Sequence, residues 1–231
     1  MSESIKNKFF KVNIVLFICT VCCLIYYDYH GGLWLKGVTS SCFVLLGAVN
    51  LIYAHKTKAK PKAIYLVFVG LFLGMCADVL LGINFIVGIL CFALGHVFYI
   101  IAFFTLGRTS FKDLYFVVPI AVFAIFIVTK TPFISVNDPM MEKLLIAYAI
   151  IISCMLGKAL SNLMINKDFS RKIIAVGSIM FMFSDLMLAV DMFGTPSRMT
   201  WILCSYTYWP AQCLLALSMY FLINEFSKKE V

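Results

Sequence analysis

The chain has 231 residues, of which 63% are hydrophobic and only 13% are charged. A soluble domain typically carries about 45–50% apolar and about 25% charged residues, so the composition indicates a protein whose solvent is lipid. The net charge of +8 could suggest nucleic-acid binding. The lysines and arginines stand between apolar runs, however, and form no basic face interleaved with aromatics, which argues against a nucleic-acid partner.

Eight apolar runs follow one another along the chain, and each is long enough to cross about 30 Å of hydrocarbon at about 1.5 Å per residue. We therefore predict an all-α, polytopic membrane protein in which residues 1–231 form a single transmembrane domain, a bundle of about eight helices. The predicted helices span residues 10–28, 33–54, 63–82, 84–106, 113–130, 139–160, 172–193 and 200–223. Only Gly-Ile-Asn at 82–84 separates the third helix from the fourth, which requires a tight hairpin.

Positive charge is distributed unevenly between the two ends of this predicted bundle. One end would carry Lys6, Lys8, Lys11, Lys56, Lys58, Lys60, Lys62, Arg108, Lys112, Lys167, Arg171, Lys172, Lys228 and Lys229. The other end would carry Lys130, Lys143 and Arg198, with Lys36 near the membrane surface. Because positive loops stay on the cytoplasmic side, we predict a multi-pass protein with both termini in the cytoplasm. The asymmetry does not distinguish a plasma membrane from an internal one.

Two segments of the chain resemble each other. VGLFLGMCADVLL at 69–81 aligns with VGSIMFMFSDLML at 176–188, and in both a Val-Gly pair precedes an aspartate by the same gap. The same offset lays the first two predicted helices over the fifth and sixth. This pattern is typical of two parallel four-helix repeats, although two apolar helices can also resemble each other through composition alone.

The two aligned aspartates, Asp78 and Asp185, lie within predicted hydrocarbon, in the outer halves of their helices. An ionisable side chain there costs several kcal/mol and usually faces a bundle interior or a wet cavity. Gly70 and Gly74 share a helix face with Asp78, so another helix can approach that face closely. A carboxylate that only holds helices together is one interpretation, but two carboxylates at equivalent depth favour a working site.

Polar side chains on the other predicted helices could complete such a site. The candidates are Lys36 at the head of the second helix, His96 and Tyr99 one turn apart in the fourth, Ser184 beside Asp185, and Tyr208 and Gln212 on one face of the eighth. Lys36 could bind a lipid phosphate or pair with an aspartate, and ordinary snorkelling is the alternative. His96 could equally be a satisfied hydrogen-bonding residue.

Metal chemistry is weakly supported by the residue types. The nine cysteines fall inside apolar runs, are odd in number and include no pair of CxxC motifs, so neither a disulfide framework nor a zinc site is indicated. His30 and His55 lie at loops on opposite faces, which argues against a three-histidine zinc centre. An Asp–Asp–His site remains an open alternative, and we expect no metal and no cofactor.

Several motifs together resemble the YhhN, or lysoplasmalogenase-like, family of membrane proteins. They are GLFLGMCADVLLG, FIVGILCFALGHVFYIIAFF, GSIMFMFSDLMLAVDMF and TYWPAQ, in an order that spans the second to the eighth helix. Ala77 departs from the glycine that the family usually has before the aspartate, and Gly37 stands where proline often follows the lysine. The resemblance implies hydrolysis of the vinyl ether bond of lysoplasmalogens, which are alkenyl-glycerophosphoethanolamines or -cholines, to a fatty aldehyde and a glycerophospho-base.

This chemistry suits the residues. Acid hydrolysis of a vinyl ether puts a proton on the β-carbon and forms an oxocarbenium ion, the kind of cation that paired carboxylates meet in glycosidases. Two carboxyl groups facing each other in low dielectric share one proton. We therefore predict Asp78 and Asp185 as catalytic residues, without deciding which is the acid. The predicted substrate-binding residues are Lys36, His96, Tyr99, Ser184, Tyr208 and Gln212, and the predicted partner is a lysophospholipid from the bilayer.

Other functions remain open at this stage. Parallel repeats and intramembrane acids also suit a proton-coupled transporter, and a lipid-binding membrane protein without catalysis is a further alternative. An intramembrane aspartyl protease is disfavoured, because neither Tyr-Asp nor Gly-x-Gly-Asp occurs around the two aspartates.

Overall fold

The computed structural model describes residues 3–59, 61–107 and 109–229, and in these ranges it contains helices and no strands. The helices are α1 (Glu3–His30), α2 (Leu33–Thr57), α3 (Lys62–Ile83), α4 (Phe85–Leu106), α5 (Leu114–Lys130), α6 (Pro139–Ile165), α7 (Phe169–Phe193) and α8 (Arg198–Lys229), with a 3-10 turn at Phe111–Asp113. The predicted all-α architecture and the order of the helices are confirmed. Two basic residues used to predict orientation, Lys60 and Arg108, lie outside the described residues.

A single residue connects α3 to α4. The Asn84 backbone N–H donates to the carbonyl of Leu80 at 2.7 Å, and the Asn84 side chain accepts from the backbone N–H of Val87 at 3.2 Å, so it caps both helices. A Cβ at Gly88 would lie 2.7 Å from the backbone of Leu81, so glycine allows the two helices to meet directly after the turn. This is the tight hairpin that the sequence predicts, and we call this end of the bundle the hairpin end.

The eighth helix differs from the others in hydropathy. In the described part of the chain, α1 to α7 are long and apolar enough to cross a membrane. α8 has 32 residues but is more polar, and its polar residues include Ser205, Tyr208 and Gln212, which are all buried. α8 contacts α1, α2, α3 and α7. It therefore lies inside the bundle, where neighbouring helices rather than lipid surround its polar groups.

The helix contacts follow the pattern expected of two repeats. α1 packs on α2, α2 on α3 and α3 on α4, and likewise α5 packs on α6, α6 on α7 and α7 on α8. Between the halves, α2 packs on α8 as α6 packs on α4. This supports the repeat predicted from segments 69–81 and 176–188. One difference is that α1 also contacts α8, whereas α5 contacts only α6 and the 3-10 turn among the described elements.

Buried charge holds the start of α5 at the end of the bundle opposite the hairpin. The Asp113 carboxylate accepts hydrogen bonds from Lys158 Nζ at 2.9 Å and Ser161 Oγ at 2.5 Å. Lys158 is only 1% exposed. Removing one partner of a buried ion pair is costly, so these contacts fix the 3-10 turn on α6. Beyond it α5 is peripheral, and of its described residues only Ala124 is buried.

At the hairpin end, α1 is tied to the start of α8. The Asp28 carboxylate accepts from Arg198 Nη2 at 2.7 Å, from Trp201 Nε1 at 2.7 Å and from the Tyr206 hydroxyl at 3.2 Å. One carboxylate on α1 therefore orients three side chains of the first turns of α8.

The small-residue face of α3 is where α4 and α8 approach. A Cβ at Gly70 would lie 2.5 Å from the ring of Tyr99 on α4, and a Cβ at Gly74 would lie 2.5 Å from the side chain of Gln212 on α8. This is the close approach that the sequence predicts for the face shared with Asp78.

We predict that Gly70→Ala lowers the thermal stability of the protein. Its new methyl group would overlap the rigid, buried ring of Tyr99, and overpacking of this kind costs about 1–3 kcal/mol. Gly95→Ala on the facing side of α4 is the matched control, because its Cβ would meet its nearest neighbour, the Gly70 carbonyl oxygen, at an ordinary 3.4 Å. Equal melting temperatures of the two variants in detergent would contradict this packing.

Candidate active site

The predicted ionisable residues lie at the same end of the bundle. From a helical rise of about 1.5 Å per residue, Lys36 lies about 5 Å from the start of α2, Asp78 about 8 Å from the end of α3 and Asp185 about 12 Å from the end of α7. All three distances are measured from the hairpin end. The lysine is thus nearest the surface, and the two aspartates lie progressively deeper.

Asp78 and Asp185 line one cleft, which we call the aspartate cleft. It encloses about 390 Å³ of space not filled by atoms, including the part open to the surroundings. Its lining residues are Lys36, Asp78, Leu81, Phe92, Ser184, Asp185, Leu188, Trp201, Cys204, Ser205, Tyr208 and Trp209. Carboxyl groups from equivalent positions of the two halves therefore share one space, as the sequence predicts, and Lys36 is at its wall.

Asp78 is 2% exposed and is surrounded by donors. Its Oδ2 accepts from Ser40 Oγ at 2.5 Å and from the Tyr208 hydroxyl at 2.8 Å. Its Oδ1 lies 3.7 Å from Lys36 Nζ, so the lysine pairs with this aspartate. Two donated hydrogen bonds and a neighbouring cation are the surroundings that suit a carboxylate anion.

A chain of hydrogen bonds supports Asp78 from behind. Gln212 Nε2 donates to the Tyr208 hydroxyl at 3.2 Å, and the Tyr99 hydroxyl donates to Gln212 Oε1 at 2.7 Å. On the other side, Trp209 Nε1 donates to Ser40 Oγ at 3.1 Å. Tyr208 lines the cleft, whereas Tyr99 and Gln212 lie one layer behind it. The last two residues are therefore placed to hold Tyr208 rather than to contact a ligand in the cleft.

Asp185 has a different environment. Its Oδ2 accepts from the Tyr148 hydroxyl at 2.5 Å, and its Oδ1 lies 3.4 Å from Ser184 Oγ, which also donates to the Phe181 carbonyl at 2.8 Å. Among the described residues its ion-pair partner is His96 and not a lysine or arginine. Asp185 therefore has one strong donor, where Asp78 has two and a cation.

The His96 ring faces the Asp185 carboxyl group. The ring Nδ1 of His96 lies 2.8 Å from the Phe92 carbonyl, which can only accept, so Nδ1 carries hydrogen. Nε2 lies 3.6 Å from Asp185 Oδ2 and has no hydrogen-bond partner in the described chain, although His96 is 1% exposed. If the ring were neutral and the carboxyl ionised, two acceptors would face each other in a buried place. A proton on either group removes that repulsion.

Sequence reasoning missed Ser40 and Tyr148 as partners of the aspartates. Ser40 precedes Asp78 by 38 residues and Tyr148 precedes Asp185 by 37, each from the helix before the one that carries the aspartate. Once the repeat is recognised, a hydroxyl at nearly the same distance upstream of each aspartate is a signal that could have found both.

Two apolar clefts also open at Asp185. The first, which we call the α5–α7 groove, encloses about 480 Å³ and is lined by Phe123, Ala124, Ile127, Val128, Leu145, Tyr148, Ala149, Ile152, Met182, Asp185, Leu186 and Ala189. The second, the α4–α7 cleft, encloses about 400 Å³ and is lined by Phe85, Ile89, Phe92, Leu145, Tyr148, Asp185, Leu188, Ala189, Met192 and Phe193. Asp185 thus lies where a polar cleft meets two apolar ones.

The model of the YhhN family matches residues 33–219 of the chain. The chain belongs to the YhhN family. The match confirms the family that the motifs resemble, and it contains the whole lining of the aspartate cleft but not α1. No curated protein and no solved structure was found to match this YhhN protein.

The described residues contain no group of three or more His, Cys, Asp or Glu side chains that could hold a metal ion.

We predict that a hydrophobic carbodiimide, which reacts with protonated carboxyl groups, labels Asp185 in preference to Asp78. Asp185 adjoins two apolar clefts and faces the Nε2 atom of His96, whereas Asp78 is paired with Lys36. Mass spectrometry of peptides from labelled protein in detergent gives the position. Asp185→Asn should abolish the label, and preferential labelling of Asp78 in the unaltered protein would contradict the proposed distribution of protons.

Proposed function

We propose that this YhhN protein is a lysoplasmalogenase, which hydrolyses the vinyl ether bond of a single-chain alkenyl-glycerophospholipid. The observation that carries the proposal is that Asp78 and Asp185, one from each half of the bundle, line the same cleft. Vinyl ether hydrolysis needs one proton donor and benefits from one nearby anion. Family membership supports the proposal because the matched range, residues 33–219, contains both aspartates.

In this proposal Asp185 is the acid. Its Oδ2 faces His96 Nε2 at 3.6 Å, where a proton on the carboxyl group removes the repulsion between two acceptors. It also lies beside apolar clefts in which the carbon end of the vinyl ether can be placed. Tyr148 holds the Asp185 carboxyl through a 2.5 Å hydrogen bond and so fixes the direction in which the proton is presented. A positioned acid of this kind typically contributes about 10²–10⁴-fold to the rate.

Asp78 is the anion that stabilises the developing cation. Ser40, Tyr208 and Lys36 hold it in place and compensate for the water it has lost. Its charge is therefore present before the reaction begins and costs no reorganisation when the oxocarbenium ion forms.

The reaction then balances with one water molecule. The Asp185 proton is transferred to the β-carbon of the vinyl ether, and the positive charge spreads over the adjacent carbon and the ether oxygen. Water adds to that carbon, and one of its protons returns to the Asp185 carboxylate. The resulting hemiacetal breaks into a fatty aldehyde and the free hydroxyl of a glycerophospho-base.

The polar part of the substrate would occupy the hairpin end of the aspartate cleft. Lys36 lies near the surface and its side chain is 18% exposed, so part of it remains accessible beside Asp78. A lysine in this position can attract a lipid phosphate. An amphiphile would thus have its phosphate at the surface and its vinyl ether near the deeper aspartate.

We predict that Asp78→Asn and Asp185→Asn each reduce aldehyde release from lysoplasmalogen by about 100-fold or more, because each removes a charge or a proton donor from the reaction. The assay uses detergent-purified protein and mass-spectrometric detection of aldehyde. Asp191→Asn, also on α7 but outside the aspartate cleft, is the matched control and should keep near-normal activity.

The outcomes separate the proposal from its alternatives. Near-normal aldehyde release by both aspartate variants would contradict the mechanism. Absence of aldehyde release by the unaltered protein, combined with proton-dependent solute flux in proteoliposomes, would favour the transporter. Binding of lysolipid without either activity would favour the lipid-binding protein.

We predict that Lys36→Met removes the preference for a phosphate-bearing substrate. The measurement compares kcat/KM for lysoplasmalogen with that for the alkenyl glycerol that lacks phosphate. If Lys36 binds phosphate, the ratio of the two values should fall by about tenfold. If Lys36 acts only through Asp78, both values should fall together and the ratio should stay constant, which would overturn the assignment.

A further inference from the structure

The α5–α7 groove is partly open at the surface of the bundle. α6 forms its floor, and α5 and α7 form its walls, but among the described elements α5 and α7 do not pack on each other. α5 itself packs only on α6 and the 3-10 turn, and of its described residues only Ala124 is buried. The wall that α5 provides is therefore the least constrained in the bundle.

The lining of the groove is apolar until it reaches Asp185. In the described chain, Tyr148 and Asp185 are its only polar lining side chains, and these two are hydrogen-bonded to each other. Three alanines, Ala124, Ala149 and Ala189, contribute one small side chain from each of the three helices. Small side chains on all three sides leave room for a narrow apolar ligand.

The direction of the groove fits a lipid that stands in one leaflet. On α6 its lining runs from Leu145, about 9 Å from the hairpin end of the helix, to Ile152, about 20 Å from it. On α5 the lining reaches Val128, about 3 Å from the hairpin end of that helix. A hydrocarbon core of about 30 Å has its middle at about 15 Å, so the groove passes Asp185 and reaches the middle of the bilayer.

The α4–α7 cleft has a different depth. Its lining includes Phe85 and Phe193, which are the first residue of α4 and the last of α7, so it opens at the membrane surface. The rings of these two residues are in edge contact, with centroids 5.7 Å apart. Its deepest lining residue on α6 is Tyr148, about 14 Å from the hairpin end, so this cleft lies between Asp185 and the membrane surface and is too shallow for a chain that extends into the bilayer.

We propose that the α5–α7 groove binds the hydrocarbon chain of a single-chain membrane lipid, which enters sideways from the bilayer between α5 and α7. The assignment deepens the proposed function and rests on it, since it places the alkenyl chain in the groove with its first carbons beside Asp185.

The test narrows the groove and measures chain-length preference. Ala149→Phe would fill the groove below Asp185, so hydrolysis of an octadecenyl substrate should fall relative to an octenyl substrate by about tenfold or more. Ile89→Phe, which adds bulk only to the α4–α7 cleft, is the matched control and should leave the ratio unchanged. An unchanged ratio in Ala149→Phe, or an equal fall in Ile89→Phe, overturns the proposal.

A second variant keeps the test decisive if Ala149→Phe does not fold. Ala149 is 6% exposed, so a phenylalanine there could prevent folding. Ala124→Phe narrows the same groove from α5, whose packing is confined to α6 and the 3-10 turn, and it should give the same change in ratio. Each variant is assayed only if its melting temperature and its size-exclusion elution volume match those of the unaltered protein. A folded Ala124→Phe protein that leaves the ratio unchanged would overturn the proposal.

A binding measurement tests whether the groove binds a lipid chain independently of the proposed hydrolysis. A non-hydrolysable lysophospholipid with a diazirine at the end of its chain is photolysed with the unaltered protein in vesicles, and cross-linked peptides are mapped. Cross-links on α5 and α6 without any aldehyde release would support the groove and overturn the proposed hydrolysis. Aldehyde release with cross-links confined to α4 would support hydrolysis and overturn the groove.

Discussion

A carboxyl group inside hydrocarbon persists only where donors, a cation or a proton compensate for the water it has lost. This bundle meets that requirement twice. Asp78 is held by Ser40, Tyr208 and Lys36, and Asp185 by Tyr148 with His96 nearby. In each half a hydroxyl on one helix reaches the aspartate on the next, so the packing of α2 on α3 and of α6 on α7 also determines the state of each acid.

The two halves share a scaffold but differ in electrostatics. The surroundings of Asp78 supply a lysine and several donors, whereas the surroundings of Asp185 supply a histidine and an opening to apolar clefts. Paired acids whose environments diverge can divide the roles of proton donor and anion. This difference supports separate roles in the proposed reaction, although Asp78 and Asp185 occupy matching positions in the aligned segments.

Much of the fold follows from the sequence, because a chain in lipid must satisfy its backbone groups within helices. The apolar runs, the hairpin at Asn84 and the matched aspartates are all readable as patterns. The central position of α8 cannot be read from the sequence, because its buried polar residues make it the least apolar of the helices. Tyr148 resembles an ordinary aromatic in an apolar run, and the direction of the His96 ring depends on its contact with the Phe92 carbonyl, which no spacing rule predicts.

The contact between Asp28 and Trp201 has a consequence for how this family is delimited. Trp201 is part of the aspartate cleft, yet the carboxylate that orients its indole comes from α1, outside the matched range 33–219. The range that the family model matches and the set of helices that orients the cleft are therefore different units: a helix outside the match supplies the anchor for one wall of the cleft.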